Sequence, residues 1–219
     1  MRSIARNQKE SLTLLKIIDR ITFPIRALFM ATEGKFGLSS LREERMRMVA
    51  RYCRGRVLDV GCGPGNLFIK NVIGEKNGMG IDVFPYEGVL NVIPDLTRLP
   101  FENSSFETLT LIAVGGHIPR SKRTAEFAEF ARVLRPGGNL VMTEGEPITQ
   151  FLSHKWREFF EGLQGKKDMD SERGMDEEEE YCMCRQELLS YLNTAPLKFI
   201  KRKRFMWGLN NIYIAEKLK

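Results

Sequence analysis

Arg56-Val57-Leu58-Asp59-Val60-Gly61-Cys62-Gly63-Pro64-Gly65-Asn66-Leu67-Phe68 is the stretch that decides the fold. Strand-compatible residues run directly into glycines at alternate positions, and an apolar-periodic segment follows. That order reads as a buried parallel strand, a turn free of side chains and the start of a helix. Such a turn lets a ligand lie against bare backbone, and the first helical N–H groups are expected to point at it.

Downstream, Gly78 to Val83 reads as a second short strand whose acid, Asp82, comes 21 residues after Gly61. Strand, crossover and strand at this spacing make a right-handed parallel unit. An acid at that place meets ribose hydroxyls in nucleoside-binding α/β folds, and burying one is costly unless it binds something. Phe84 to Gly88 is too short for a full crossover helix before the apolar run Val89 to Ile93. Either that second crossover helix is reduced to a turn, or the strand after it is lost or displaced. One face of the sheet is then short of cover, which Ile18, Ile21 and Ile25 of an N-terminal helix are expected to supply. Further strands are expected over Phe106 to Val114 and Asn139 to Thr143, with a helix from Ser121 to Leu134 between them. Arg135-Pro136-Gly137-Gly138 reads as the turn that stops this helix. A helix from Gln186 to Leu192 precedes two alternating strands, Leu197 to Trp207 and Asn210 to Ala215, expected to pair antiparallel around Gly208. The expected class is α/β, a mostly parallel sheet with an antiparallel C-terminal strand and helices on both faces.

The 219 residues suit one domain with a decorated end. We divide them into an N-terminal helical arm, 1–55, and a main domain, 56–219, with an insertion at about 148–181. The net charge of +6 is uneven: residues 1–56 carry 13 Lys/Arg against 5 Asp/Glu, so the remainder is slightly acidic. Leu14, Leu15, Ile18, Ile21, Ile25, Leu28 and Phe29 recur at steps of three and four, one stripe of an amphipathic helix bent or restarted at Pro24. Packing on the main domain or a second subunit is the plain use of such a stripe; contact with an anionic membrane surface is the sharper one. A basic helix follows from Leu41 to Cys53, capped by Ser39 or Ser40; with Arg42, Arg45, Arg47 and Arg51 it can close over a cofactor or bind a phosphate, and solvation of these arginines on one face is the default expectation. In the insertion, Ile148 to Gly162 reads as an aromatic helix. Asp168 to Glu180, with eight acids and one Arg, reads as a lid-like loop. Four cysteines lack the density of a secreted disulfide framework, and Cys182-Met183-Cys184 has no second ligand pair, so no metal is expected. Charges interrupt Leu12 to Met30, the nearest approach to a membrane span, and no signal peptide is evident; a cytoplasmic protein is the expectation.

Taken together, these motifs resemble the class I S-adenosylmethionine-dependent methyltransferases, in particular the small single-domain type 11 group. The likeness runs from about Arg56 to Glu144 and returns in the last two strands. Val57 to Gly65 is similar to the family's first motif, Ile81-Asp82 to its second, and Asp95 with Leu99-Pro100-Phe101 and Phe106 to its third. Phe130 to Gly138 closes the set. The resemblance implies a Rossmann-like fold and S-adenosyl-L-methionine as cofactor, with S-adenosyl-L-homocysteine as product. It implies a cofactor site of Asp59, Gly61, Cys62, Gly63, Asp82, Val83, Asp95, Leu96 and Ala113. Within it the glycines admit the methionine end, and Asp59 orients the loop or the ligand's ammonium. Asp82 takes the ribose hydroxyls, Asp95 and the Leu96 N–H meet adenine, and Ala113 to Gly116 lie by the sulfonium. Cys62 is a small loop residue and not a nucleophile.

Methyl transfer asks little of side chains beyond positioning, and a base is needed only if the acceptor must lose a proton. His117 is the candidate catalytic base, with a structural histidine bonding a loop carbonyl as the even alternative; His154, Glu144 and Glu146 are weaker. The expected reaction is in-line transfer to an O, N or C nucleophile of a small-molecule or sugar-like acceptor. Two alternatives stand beside it: an RNA methyltransferase using the basic segment Arg42 to Arg56, and a non-catalytic S-adenosylmethionine-binding module. Nucleic acid is disfavoured because no aromatics interleave with those arginines. No Asn-Pro-Pro-Tyr-like segment, Pro-Cys pair or Mg²⁺-binding carboxylate set marks a narrower subfamily. The spacing Gly61-x-Gly63-x-Gly65 departs from the nicotinamide-dehydrogenase fingerprint.

Overall fold

The computed structural model describes residues 39–147 and 182–219, with residues 14, 17–19, 21 and 22 of a helical segment near the N-terminus. The expected aromatic helix and acidic loop of the insertion, His154 and Ile25 lie outside the described residues. Six strands form one sheet: β1 (Val57–Val60), β2 (Gly78–Ile81), β3 (Phe106–Ile112), β4 (Leu134–Gly145), β5 (Leu197–Phe205) and β6 (Asn210–Lys217), in the order β2-β1-β3-β4-β6-β5. β1 to β4 are parallel and β6 runs antiparallel to both its neighbours, as expected. All four residues of β1 are buried, since the strand is central and covered on both faces.

Helix α1 (Leu41–Ala50) begins with a capping box: Glu43 N donates to Ser40 Oγ at 3.1 Å, and Ser40 N donates to Glu43 Oε2 at 2.9 Å. Its Met46 and Val49 pack with Val57, Phe68, Val141 and Ile212 on one face of the sheet. On the other face, helices α2 (Arg120–Val133) and α3 (Arg185–Thr194) bury Phe127, Phe130, Leu188 and Leu192 against the strands. Full burial of an aromatic of this size is worth roughly 1.5–3 kcal/mol, so the two phenylalanines anchor α2.

Three expectations are corrected. The segment after the glycine loop is a 3-10 turn, Pro64–Asn66, leading into a π-helical turn, Ile69–Ile73; Gly65 (φ +77°) and Gly74 (φ +87°) bracket it and prevent a longer regular helix. As the short link from Phe84 to Gly88 implied, no helix lies between β2 and the run Val89 to Ile93, which contributes one parallel bridge, Asp82 to Val92, in place of a strand. Among the described residues, cover for that face comes from Leu96 and Leu99, in one core cluster with Ile81, and not from Ile18 or Ile21. Ile18 and Ile21 are instead 40% and 67% exposed. On the same helical segment Asp19 turns inward, Ser39 N and Oγ donating to its carboxylate at 3.0 and 2.6 Å. Arg135 to Gly138 belongs to β4 as an irregularity, because Leu134 already pairs with Phe106.

Candidate functional site

The parallel register, with Val60 opposite both Ile81 and Leu111, brings the ends of β1, β2 and β3 together. Beyond β1, the amides of Gly61 and Cys62 both donate to Ile81 O, at 2.9 and 3.0 Å. Gly63 N donates to Asp82 Oδ2 at 2.9 Å and Gly65 N to Glu87 O at 2.7 Å. These four amides are spent on the neighbouring strand and loop, and of the first helical N–H groups expected to face a ligand, Gly65 N is among them and Asn66 N turns back to Gly63 O at 3.2 Å. What the loop has left to offer is carbonyl oxygen, which suits a cationic ligand and not a phosphate. Gly61 takes φ +70°, and a Cβ there would stand 2.5 Å from Val114 Cγ2, so the site's first and third strands interlock through this missing side chain. Cys62 is buried, and its Cβ fits where Gly80 has none. Burial, helped by the charges of Asp59 and Asp82, pushes its thiol up to about 12 and holds it protonated.

Asp82 is 5% exposed and its second oxygen accepts from Phe84 N at 3.0 Å. Asp59, also buried, accepts from Thr110 Oγ1 on β3 at 2.6 Å. Burial pushes Asp59 up to about 7; the Thr110 hydroxyl opposes the rise and the charge of Asp82 adds to it. Val83 is exposed beside this pair. Asp95 is at the surface, where Thr97 N and Oγ1 donate to its Oδ1 at 3.0 and 2.6 Å and hold it below the usual carboxylate range. Leu96 next to it turns into the core. Glu126 of α2 is buried near Asp95, one of its oxygens has no hydrogen-bond partner, and burial pushes it up to about 7.

Ala113 takes φ +58°, a conformation disfavoured for any residue with a Cβ, with its N–H donating to Thr143 O and Oγ1 at 3.0 and 3.1 Å. This ends β3 and leads into the single turn Gly115–His117, where His117 is half-buried. Glu144, fully inside, accepts from Gly115 N at 2.9 Å and Met183 N at 3.3 Å, and burial pushes it up to about 7. Glu146 is engaged with Asn211 and Arg202.

Three arginines matter that the sequence left on the surface or unnamed. Arg45 of α1 shares the inward side with Val49, one helical turn on; its Nε donates to Asn210 Oδ1 at 2.7 Å and its buried Nη2 has no partner. The expectation that it is solvated is corrected by that burial, which lowers it to about 10. Arg42, three residues earlier and exposed, brings Nη2 to 3.6 Å from where a Cβ on Gly63 would be, over the glycine loop. Arg123 of α2 is fully buried: it donates to Gly116 O at 3.2 Å and Ile118 O at 2.8 Å, pairs with Glu187, and so braces the His117 turn from below. Spacing on α2 places Arg123 on one side with Phe127 and Phe130, but its acidic partner, Glu187, is 64 residues away. Among the described residues no group of His, Cys, Asp and Glu is arranged to hold a metal, and no helix is long and apolar enough to cross a membrane.

Residues 58–142 match the family described as a methyltransferase domain. The chain is 25% identical over 193 residues to the ubiquinone/menaquinone biosynthesis C-methyltransferase UbiE of Campylobacter jejuni, covering 74% of this chain and 79% of that protein. It is 30% identical over 105 residues to the phthiotriol/phenolphthiotriol dimycocerosates methyltransferase of Mycobacterium leprae, of whose length it spans only 38%. Its fold is shared with the N-methyltransferase NodS of Bradyrhizobium japonicum, solved with S-adenosyl-L-homocysteine, at a TM-score of 0.54 and 14% identity over 81% of this chain and 87% of that one.

Proposed function

We propose, for a chain that belongs to the class I S-adenosylmethionine-dependent methyltransferases of the type 11 group, in-line methyl transfer to an O, N or C nucleophile of a small-molecule or sugar-like acceptor. One observation carries the cofactor reading. Two buried carboxylates, Asp59 and Asp82, adjoin a glycine loop whose Gly61, Cys62, Gly63 and Gly65 amides are already spent, with the Arg42 guanidinium over it. In this reading Asp82 takes the ribose hydroxyls through lone pairs its two backbone partners leave over. The carbonyls of Gly61 and Cys62, with Asp59 behind them, favour the ammonium end, and Arg42 meets the carboxylate. Val83, Asp95 and Leu96 border the adenine, and Ala113 leaves room at the reacting end. S-adenosyl-L-methionine, when bound, supplies a methyl already activated on a sulfonium. The chain's own work is then to hold the acceptor in line and exclude water, with His117 accepting a proton where the nucleophile must lose one. A carbon nucleophile is the first to try, because a curated relative matched over 74% of this chain is a C-methyltransferase by name. The burial of Arg45 removes one cation from the basic face that an RNA substrate would use, which supports the small acceptor over nucleic acid.

S-adenosyl-L-homocysteine tests the reading. At 100-fold its dissociation constant it should stabilise the protein by about 2.7 kcal/mol. Asp82→Ala should weaken binding about 100-fold in calorimetry, through the lost acceptor and the stranded Gly63 and Phe84 amides. Stabilisation by NAD and not by this ligand would overturn the proposal; binding without turnover across an acceptor screen would favour the non-catalytic module.

A further inference from the structure

We infer that the ligand-side rim of the domain docks on an anionic lipid surface, with Trp207 and the stripe Leu14, Ile17, Ile18 and Ile21 entering the interface and the basic strand β5 supplying the charge. Trp207 is the key residue. It occupies the turn between β5 and β6, where Met206, Trp207 and Gly208 follow one another at φ +52°, +58° and +87°. A bulky side chain at positive φ is disfavoured, and glycine or asparagine would serve this turn better. Yet the tryptophan is 71% exposed, so the cost is not recovered by packing within the domain. Strain retained without burial is a mark of function.

A second apolar element is exposed independently. Leu14, Ile17, Ile18 and Ile21 stand at i, i+3, i+4 and i+7 on the N-terminal helical segment and are 60%, 50%, 40% and 67% exposed, while Asp19 turns inward to Ser39. Both elements belong to one end of the sheet. Asn210, next to the Trp207 turn, pairs with Gly145 at the end of β4 and accepts from Arg45. Arg45 is only about 8 Å along α1 from Ser40, the neighbour of the serine that anchors Asp19.

Charge identifies the occupant. β5 carries Lys198, Lys201, Arg202, Lys203 and Arg204 and no acid, all but Arg202 exposed, and residues 1–56 are strongly basic. Lysines on an edge strand also deter strand pairing, but that use explains neither Trp207 nor the helical stripe. Of the β5 cations, Lys203 and Arg204 stand at the Trp207 end of the strand, beside Phe205, which pairs with Asn210; tryptophan, aliphatic side chains and cations at one rim are the composition that an anionic membrane interface selects. The acceptor site would then open toward the lipid.

The test is sedimentation of the full chain with vesicles of phosphatidylcholine alone or with about one-third phosphatidylglycerol. Binding is expected on the anionic vesicles only and should fall at least about tenfold from low to high salt. Trp207→Ala and Ile21→Asp should each reduce partitioning about tenfold. Trp207→Gly separates function from fold: it should raise the melting temperature by about 2–4 °C while weakening vesicle binding. No partitioning, equal partitioning on neutral vesicles, or a lowered melting temperature in Trp207→Gly would overturn the inference. So would a dimer in light scattering that Ile21→Asp dissociates, or tighter binding to single-stranded RNA than to the anionic vesicles.

Discussion

Asp59→Asn should make the ligand-free protein more resistant to alkaline pH, and the size of the effect follows from one side chain. Asp59 is buried in the central strand with a single hydroxyl partner, and burial pushes it up to about 7, against about 3.9 in an unfolded chain. Between those values the unfolded chain has released the proton and the folded one still holds it. The folded state thus binds more protons, and stability falls as pH rises from about 4 to about 7, then levels. From pH 5 to pH 8 the window covers about two units, or about 2.7 kcal/mol at 1.36 kcal/mol per unit. Asparagine keeps the Thr110 bond, since its carbonyl oxygen also accepts, and removes the titration. Urea denaturation at the two pH values should show the parent losing about 2.7 kcal/mol more than the variant. Glu126 and Glu144, raised for the same reason, slope alike in both proteins and cancel from the difference. Affinity for S-adenosyl-L-homocysteine should fall in the variant. Equal pH slopes in the two proteins would refute the reasoning.

Two further substitutions probe how the site is held. Gly61→Ala places a Cβ 2.5 Å from Val114 Cγ2 at φ +70° and should cost about 2–4 kcal/mol in urea denaturation; adding Val114→Ala should leave only the backbone penalty of about 1 kcal/mol. Arg123→Met removes a buried cation from two carbonyls and from Glu187 and should cost about 3–5 kcal/mol, with loss of methyl transfer as the His117 turn loosens; Arg123→Lys, lacking the fork, should not rescue it.

Much of this fold is local in origin and so was legible. Val57 to Val60 has no polar residue but Asp59, the glycines follow at once, and Leu197 to Asn210 alternates around Gly208; each signal is read within a dozen residues. Elsewhere a short signal had two uses. Val89 to Ile93 has a strand's composition, yet the link before it is too short to bring it alongside β2 for more than the Asp82 to Val92 bridge. Arg45 belongs to a charge run that reads as solvated, but α1 tilts its N-terminal half over Asn210 and Glu144, and those partners come from residues more than ninety positions away. Ile18 and Ile21 carry a packing stripe that the arm turns outward, because Asp19 is the side chain the domain holds.

The glycine loop shows why a backbone motif alone does not define its ligand. A glycine turn at a helix N-terminus is usually an anion site because its amides point outward unpaired. Here β2 overrides that tendency: Ile81 O accepts two loop amides and Asp82 a third, so the same backbone geometry presents oxygen. The decisive residue is therefore twenty-one positions downstream of the loop's first glycine. An acid at the end of β2 both satisfies the loop and reverses the polarity of what it offers. Asp59, raised to about 7 beside it, adds a carboxylate whose charge a cation would restore. Electrostatics of this kind are what the proposed S-adenosylmethionine site calls for, favouring a positively charged nucleoside derivative over a phosphate-bearing one before any contact with the base is considered.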